Sequence, residues 1–96
     1  ITRELYLSLR VDCDKSAIVL MAQTNGGVEV EDNHDFKEWP TDRVSAEVLG
    51  QSLADYYELP EQTFALQDMV ENLRTCLVKN DALLIEINPL ILTSDN

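Results

Sequence analysis

"RELYLSLRVDCDKSAIVLMA", residues 3–22, is the stretch from which the fold can be read. Between Glu4 and Asp12 the residues alternate: Leu5, Leu7, Leu9 and Val11 fall on one side, Tyr6, Ser8, Arg10 and Asp12 on the other. A period of two marks a strand with one buried face. "DCDKS" supplies turn formers, and Ala17–Ala22 is a short unbroken apolar run that reads as the hairpin partner. Asn25, Gly26 and Gly27 then permit positive φ. They read as a turn rather than a phosphate cradle, because no Lys-Ser/Thr follows. "VEVED", from Val28, alternates again with Val28 and Val30 inward. Three antiparallel strands in succession make a meander.

Downstream the period changes. Residues 32–42, "DNHDFKEWPTD", have no pattern and read as a loop, anchored by Trp39-Pro40 because an indole is costly to leave in water. Asp42 is the expected N-cap of a first helix, with Val44, Val48, Leu49 and Leu53 on its inner face. Pro60 suits the first turn of a second helix. There Leu66, Met69, Val70, Leu73 and Leu77 form a core stripe, so Met69 needs no cofactor to explain it. Asn80 is the expected left-handed C-cap. A last strand closes the order β-β-β-α-α-β: an α+β fold, a mostly antiparallel sheet with two helices on one face, residues 1–96 forming a single domain.

That last strand is "ALLIEINPLIL", residues 82–92, in which nine of eleven residues are Ala, Leu, Ile or Pro. Glu86 and Asn88 interrupt it two positions apart, and residues i and i+2 of a strand project together. Leu84 shares their side, while Leu83, Ile85 and Ile87 face the other way. Pro89 cannot donate to a ladder, so pairing should break just after Asn88. Two readings stand side by side. Glu86 lies on a solvated face and Asn88 closes a turn, or the pair floors a site. A desolvated carboxylate costs several kcal/mol (roughly) unless a cation or donor pairs with it. A carboxylate beside an Asn carbonyl is a reasonable half of a Mg²⁺ site.

Composition bounds the partners. Lys and Arg number 7 against 18 Asp and Glu, a formal charge of −11. This argues against nucleic acid and anionic membrane surfaces as general partners. A chain of 96 residues buries roughly 60–68% of its unfolded surface, enough for one core without staples. Cys13 and Cys76 are too far apart for a Cys-x-x-Cys site and read as free thiols of a reducing compartment. No apolar run is long enough to span a membrane, and the start lacks a signal-peptide core. Opening on Ile1 rather than Met suggests a piece of a longer protein.

These segments carry a resemblance. "DALLIEINPLILT" closely resembles the Glu-Ile-Asn-Pro-Leu segment of succinyl-CoA synthetase beta subunits and the related part of ATP-citrate lyase. "RELYLSLRVD" and "IVLMAQTNGGVEVE" resemble the same family's "KELYL…VDR" and "MASTEGGVEIE", in the same order and at similar spacing. The matches span residues 3–31 and 72–93. The resemblance implies the second subdomain of an ATP-grasp domain. The whole enzyme would be an acid–thiol ligase of the tricarboxylic acid cycle, interconverting succinate, CoA and ATP (or GTP) with succinyl-CoA, ADP (or GDP) and phosphate. The phosphoryl group would pass through a phosphohistidine on an alpha subunit, in bacterial cytoplasm or mitochondrial matrix.

Residue by residue, the resemblance implies that Asn88 ligates the nucleotide's Mg²⁺ and that Glu86 contacts the partner's phosphohistidine. His34 is not the transferred histidine and reads as a surface residue. The family's nucleotide-grasping lysine and glycine-rich loop would lie before Ile1, and a second Mg²⁺-binding Asp after Asn96, so the chain alone would be inactive. "HDFKEWPTDR" replaces a longer family segment with an Ile-Asp-Pro motif. ATP-citrate lyase, malate–CoA ligase and a non-catalytic acidic α+β interaction module are the alternatives.

Overall fold

The computed structural model describes residues 3–14, 16–24 and 36–92, apart from the side chains of Asn88, Pro89 and Leu92. Its elements are β1 (Arg3–Asp12), β2 (Ala17–Gln23), β3 (Lys37–Pro40), α1 (Ala46–Tyr57), a 3₁₀ turn (Pro60–Gln62), α2 (Thr63–Lys79) and β4 (Leu84–Leu92). The four strands form one sheet in the order β3-β2-β1-β4, and every neighbouring pair is antiparallel. This is the expected α+β fold.

The alternation of β1 sorts the sheet into two faces. Leu5, Leu7 and Leu9 are buried against the helices, together with Leu20 and Ala22 of β2. From the helices come Leu49, Leu53, Ala54, Tyr57, Leu66, Val70, Leu73 and Leu77. Ile85 and Ile87 of β4 pack against the same cluster, half-buried, as do Met69 and Trp39. Tyr6, Ser8, Arg10, Met21 and Glu86 lie on the opposite face of the sheet, as the cross-strand pairs Ser8–Met21 and Ser8–Glu86 require.

Several expectations need correction. The third described strand is Lys37–Pro40, inside the segment expected to be loop; the strand expected at 28–32 lies outside the described residues. Among the described residues Lys37–Pro40 borders only β2, and an outermost position tolerates both its charges and its proline. Trp39 does anchor it, meeting Tyr56 edge-on at 5.7 Å.

Asp42 does not cap α1. Val44 N–H bonds the Thr41 carbonyl at 3.1 Å and Arg43 takes φ 60°, so the chain turns once more before the helix. Ser45 is the cap, its hydroxyl accepting from Val48 N–H at 3.2 Å. The helix therefore presents Ala46, Leu49, Gly50, Leu53, Ala54 and Tyr57 inward, and Val48 is 55% exposed. Gly50 has a packing reason: a Cβ there would stand 2.8 Å from Gln67 Cα, so only glycine lets α1 and α2 approach this closely. At the end of α2, Asn80 is not left-handed (φ −98°); Asp81 is (φ 52°), and the Asn80 amide side chain donates instead to Cys76 O at 2.9 Å.

No helix among the described residues is long and apolar enough to cross a membrane. Cys13 and Cys76 are both exposed free thiols.

Candidate functional site

The site grows out of the β1–β4 ladder. Leu9 pairs with Ile85, Ser8 with Glu86 and Leu7 with Ile87, but Leu5 pairs with Leu90. Two steps along β1 thus correspond to three along β4. The surplus residue falls at Asn88–Pro89, opposite Tyr6. This is a β-bulge, set where a proline without an N–H ends regular pairing. It also changes parity: Ile85 and Ile87 face the helices before it, and Leu90 faces them after it. Without the extra residue, Leu90 would point away from the core.

Of the two environments open to Glu86, a solvated face and an apolar one, the strand gives it the solvated face. The apolar residues of β4 serve the other face, and Glu86 is exposed on the outer face. Its Oε2 accepts a hydrogen bond from the Tyr6 hydroxyl at 2.8 Å, across 80 positions of sequence. Among the described residues it has no ion-pair partner. Tyr6 itself is only 6% exposed, and its ring meets Phe36 edge-on at 5.1 Å. Burial raises the Tyr6 phenol above its usual pKa; the Glu86 carboxylate pushes the same way, while Ser8 and Arg10 pull it down. The phenol is thus a neutral donor at physiological pH.

Beside this pair, Ser8 is fully buried, close enough to the Tyr6 phenol to favour its ionised form, and among the described residues its Oγ makes no well-formed hydrogen bond. Arg10 stands two pairs further along, 3.7 Å from Asp12 and 3.9 Å from Glu38, contacts that are exposed enough to be weak.

The side chain of Asn88, expected to ligate Mg²⁺, lies outside the described residues, as do Asn25–Gly27 and His34. The backbone of Asn88 falls within β4, two residues from Glu86. Among the described residues no three His, Cys, Asp or Glu side chains gather as a metal site. What the strand supplies is one exposed carboxylate with a carboxamide residue close by in sequence. That donor set fits part of a Mg²⁺ coordination sphere, since this ion keeps several waters and takes one or two protein oxygens beside phosphate. It does not fit a protein-enclosed cage.

Tyr6 was missed as a member of the site. Alternation puts it on the side of Ser8 and Arg10, but only the pairing of β1 with β4 brings its hydroxyl to Glu86.

Comparison with known proteins gives the family. A sequence profile described as the ATP-grasp domain matches residues 1–92. The chain is 37% identical over 106 residues to the succinate–CoA ligase [ADP-forming] subunit beta of Desulforapulum autotrophicum, covering 100% of this chain and 27% of that protein. The subunits of the same name from Hydrogenobaculum sp. and Rhodospirillum rubrum are 36% and 32% identical, each over 99% of this chain and 26% of theirs. The chain thus spans about a quarter of the length of the curated relatives it matches.

Proposed function

The chain belongs to the ATP-grasp domain family, and from that premise we propose that it is part of the nucleotide-binding beta subunit of a succinate–CoA ligase. In this reading it is one fragment, residues 1–96, of the second ATP-grasp subdomain. The intact enzyme joins succinate to CoA with cleavage of ATP (or GTP), through a histidine of an alpha subunit that is phosphorylated in passing. The observation that carries the reading is an exposed carboxylate, Glu86, held by Tyr6 on the face of the sheet away from the helices, beside the 88–89 bulge.

Glu86 is the catalytic residue. An exposed carboxylate can be reached by an imidazole from another chain, accept its N–H, orient the ring and favour its cationic form. Asn88 contributes its amide oxygen to Mg²⁺, and the ion, when bound, supplies charge neutralisation at the phosphate oxygens. The division suits phosphoryl transfer, in which the protein contributes mainly positioning and electrostatics. Its support on β4 is the spacing, since positions two apart on a strand share a side.

The test uses the intact alpha/beta enzyme, with phosphohistidine formation followed by rapid quench and nucleotide binding measured alongside. Asn88→Ala should raise the metal and nucleotide requirement. Glu86→Gln keeps the shape and removes the charge, so nucleotide–Mg²⁺ binding should survive while transfer slows by about 10²–10³-fold. A normal transfer rate in Glu86→Gln makes the carboxylate merely structural. Loss of Mg²⁺–nucleotide binding in that variant makes Glu86 a metal ligand instead.

A further inference from the structure

Resting on that reading of Glu86, we propose that Tyr6 is its positioning residue: the Tyr6 hydroxyl fixes the carboxylate in the one orientation from which it can meet the partner's imidazole. A glutamate has three side-chain torsions, and when it is exposed on a strand nothing in its own element holds it. Glu86 is such a residue, and among the described residues the 2.8 Å bond from Tyr6 is its one side-chain hydrogen bond.

Tyr6 is built to serve as a fixed post. Its backbone carbonyl accepts a hydrogen bond from the Tyr57 hydroxyl, and Tyr57 is fully buried in the core. Its ring is shut in, 6% exposed, with Phe36 against its side. The order of restraint therefore runs from the core through Tyr57 to the β1 backbone, then through the phenol to the carboxylate. Ser8, directly opposite Glu86, does not hold the carboxylate: among the described residues its Oγ makes no well-formed hydrogen bond. The bulge completes the arrangement, since the surplus residue on β4 lies opposite Tyr6, two steps beyond the Ser8–Glu86 pair.

A residue that only positions another should matter no more than the group it positions. In the intact alpha/beta enzyme, Tyr6→Phe keeps the ring and removes the hydroxyl. Single-turnover phosphohistidine formation should fall about tenfold, the loss expected of one hydrogen bond to a charged group. Nucleotide affinity and thermal midpoint should stay at the parent values. Combined with Glu86→Gln, Tyr6→Phe should cause no further loss, because there is no carboxylate left to place. A crystal structure of the Tyr6→Phe enzyme should show the Glu86 side chain spread over several rotamers.

A normal rate in Tyr6→Phe beside a slow Glu86→Gln overturns the role of Tyr6 alone. An equal loss in the Glu86→Gln background, or a Glu86 carboxylate that keeps its place without the hydroxyl, does the same. A normal rate in Glu86→Gln overturns the reading of Glu86 first, and the role of Tyr6 with it.

Discussion

Removing one hydroxyl, by Tyr57→Phe, tests the core and the site's foundation together. The ring is fully buried and lies 5.4 Å from that of Tyr56 at a tilt of 50°, contacts that phenylalanine retains. What is lost is the donor to the Tyr6 carbonyl, leaving a buried acceptor unpaired at a cost of about 1–3 kcal/mol. With a urea m-value of about 1.5 kcal/mol/M, a loss of about 1.5 kcal/mol lowers the unfolding midpoint by about 1 M. The same substitution has a second signature in alkali. Burial, and then the neighbouring Tyr56, raise the Tyr57 phenol far above its ordinary 10.0, with Arg3 opposing them.

Above pH 10 the unfolded chain therefore releases a proton that the native state keeps. With the unfolded state holding fewer protons, stability must fall as pH rises, and it is intact below pH 10. For a phenol that does not ionise in the native state, the loss between pH 10 and 11 is RT ln(11/2), about 1 kcal/mol. Tyr57→Phe should be less stable than the parent at pH 7 and should lose about 1 kcal/mol less between pH 10 and 11. Urea melts at pH 7, 10 and 11 measure both. An unchanged midpoint at pH 7 together with an unchanged alkaline decline would refute the buried, donating hydroxyl.

Two further substitutions probe the packing that carries the sheet. Leu73→Ala, 6% exposed in the cluster that includes Leu5 and Leu77, should cost about 2–5 kcal/mol in denaturant melts, and a loss under about 1 kcal/mol would mean that α2 does not pack there. Gly50→Ala gains about 1 kcal/mol of helix propensity but places a methyl 2.8 Å from the Gln67 backbone, so a net loss of about 1–2 kcal/mol is expected; a raised thermal midpoint would show that the helices can part freely.

How much of this was legible in the sequence depends on whether a residue's role is local. The faces of β1 follow from its own alternation, and the buried stripe of α2 from its own spacing, because each is imposed by one element's geometry. Val48 was misassigned because a count of apolar residues favours valine, whereas close helix packing selected Gly50 and Ala54. The cap moved from Asp42 to Ser45 because the turn at Thr41–Val44 is stabilised by more than the caps: Arg74 reaches across from α2 to the Thr41 carbonyl at 2.8 Å and also donates to Val44 O. β3 was hidden because a four-residue strand with one apolar inward residue, Trp39, has little pattern to show. At the site, Pro89 announced the break in pairing, and the pattern also left open a solvated face for Glu86, which the fold adopts. Its link to Tyr6 is a property of strand order, and no window of adjacent residues contains it.

The same strand order has a kinetic side. β1 lies between a neighbour close in sequence, β2, and one at the far end of the chain, β4. The hairpin can close a short loop, but joining Tyr6 to Glu86 means closing one of some 80 residues, which is slower to form. β4, like β3, is an outermost strand among the described residues, so its amides should exchange with solvent ahead of those in β1 and β2. Detachment of β4 would dismantle the Tyr6–Glu86 pair while the hairpin and the helices remain folded. Heat should therefore silence the site at a lower temperature than it unfolds the chain.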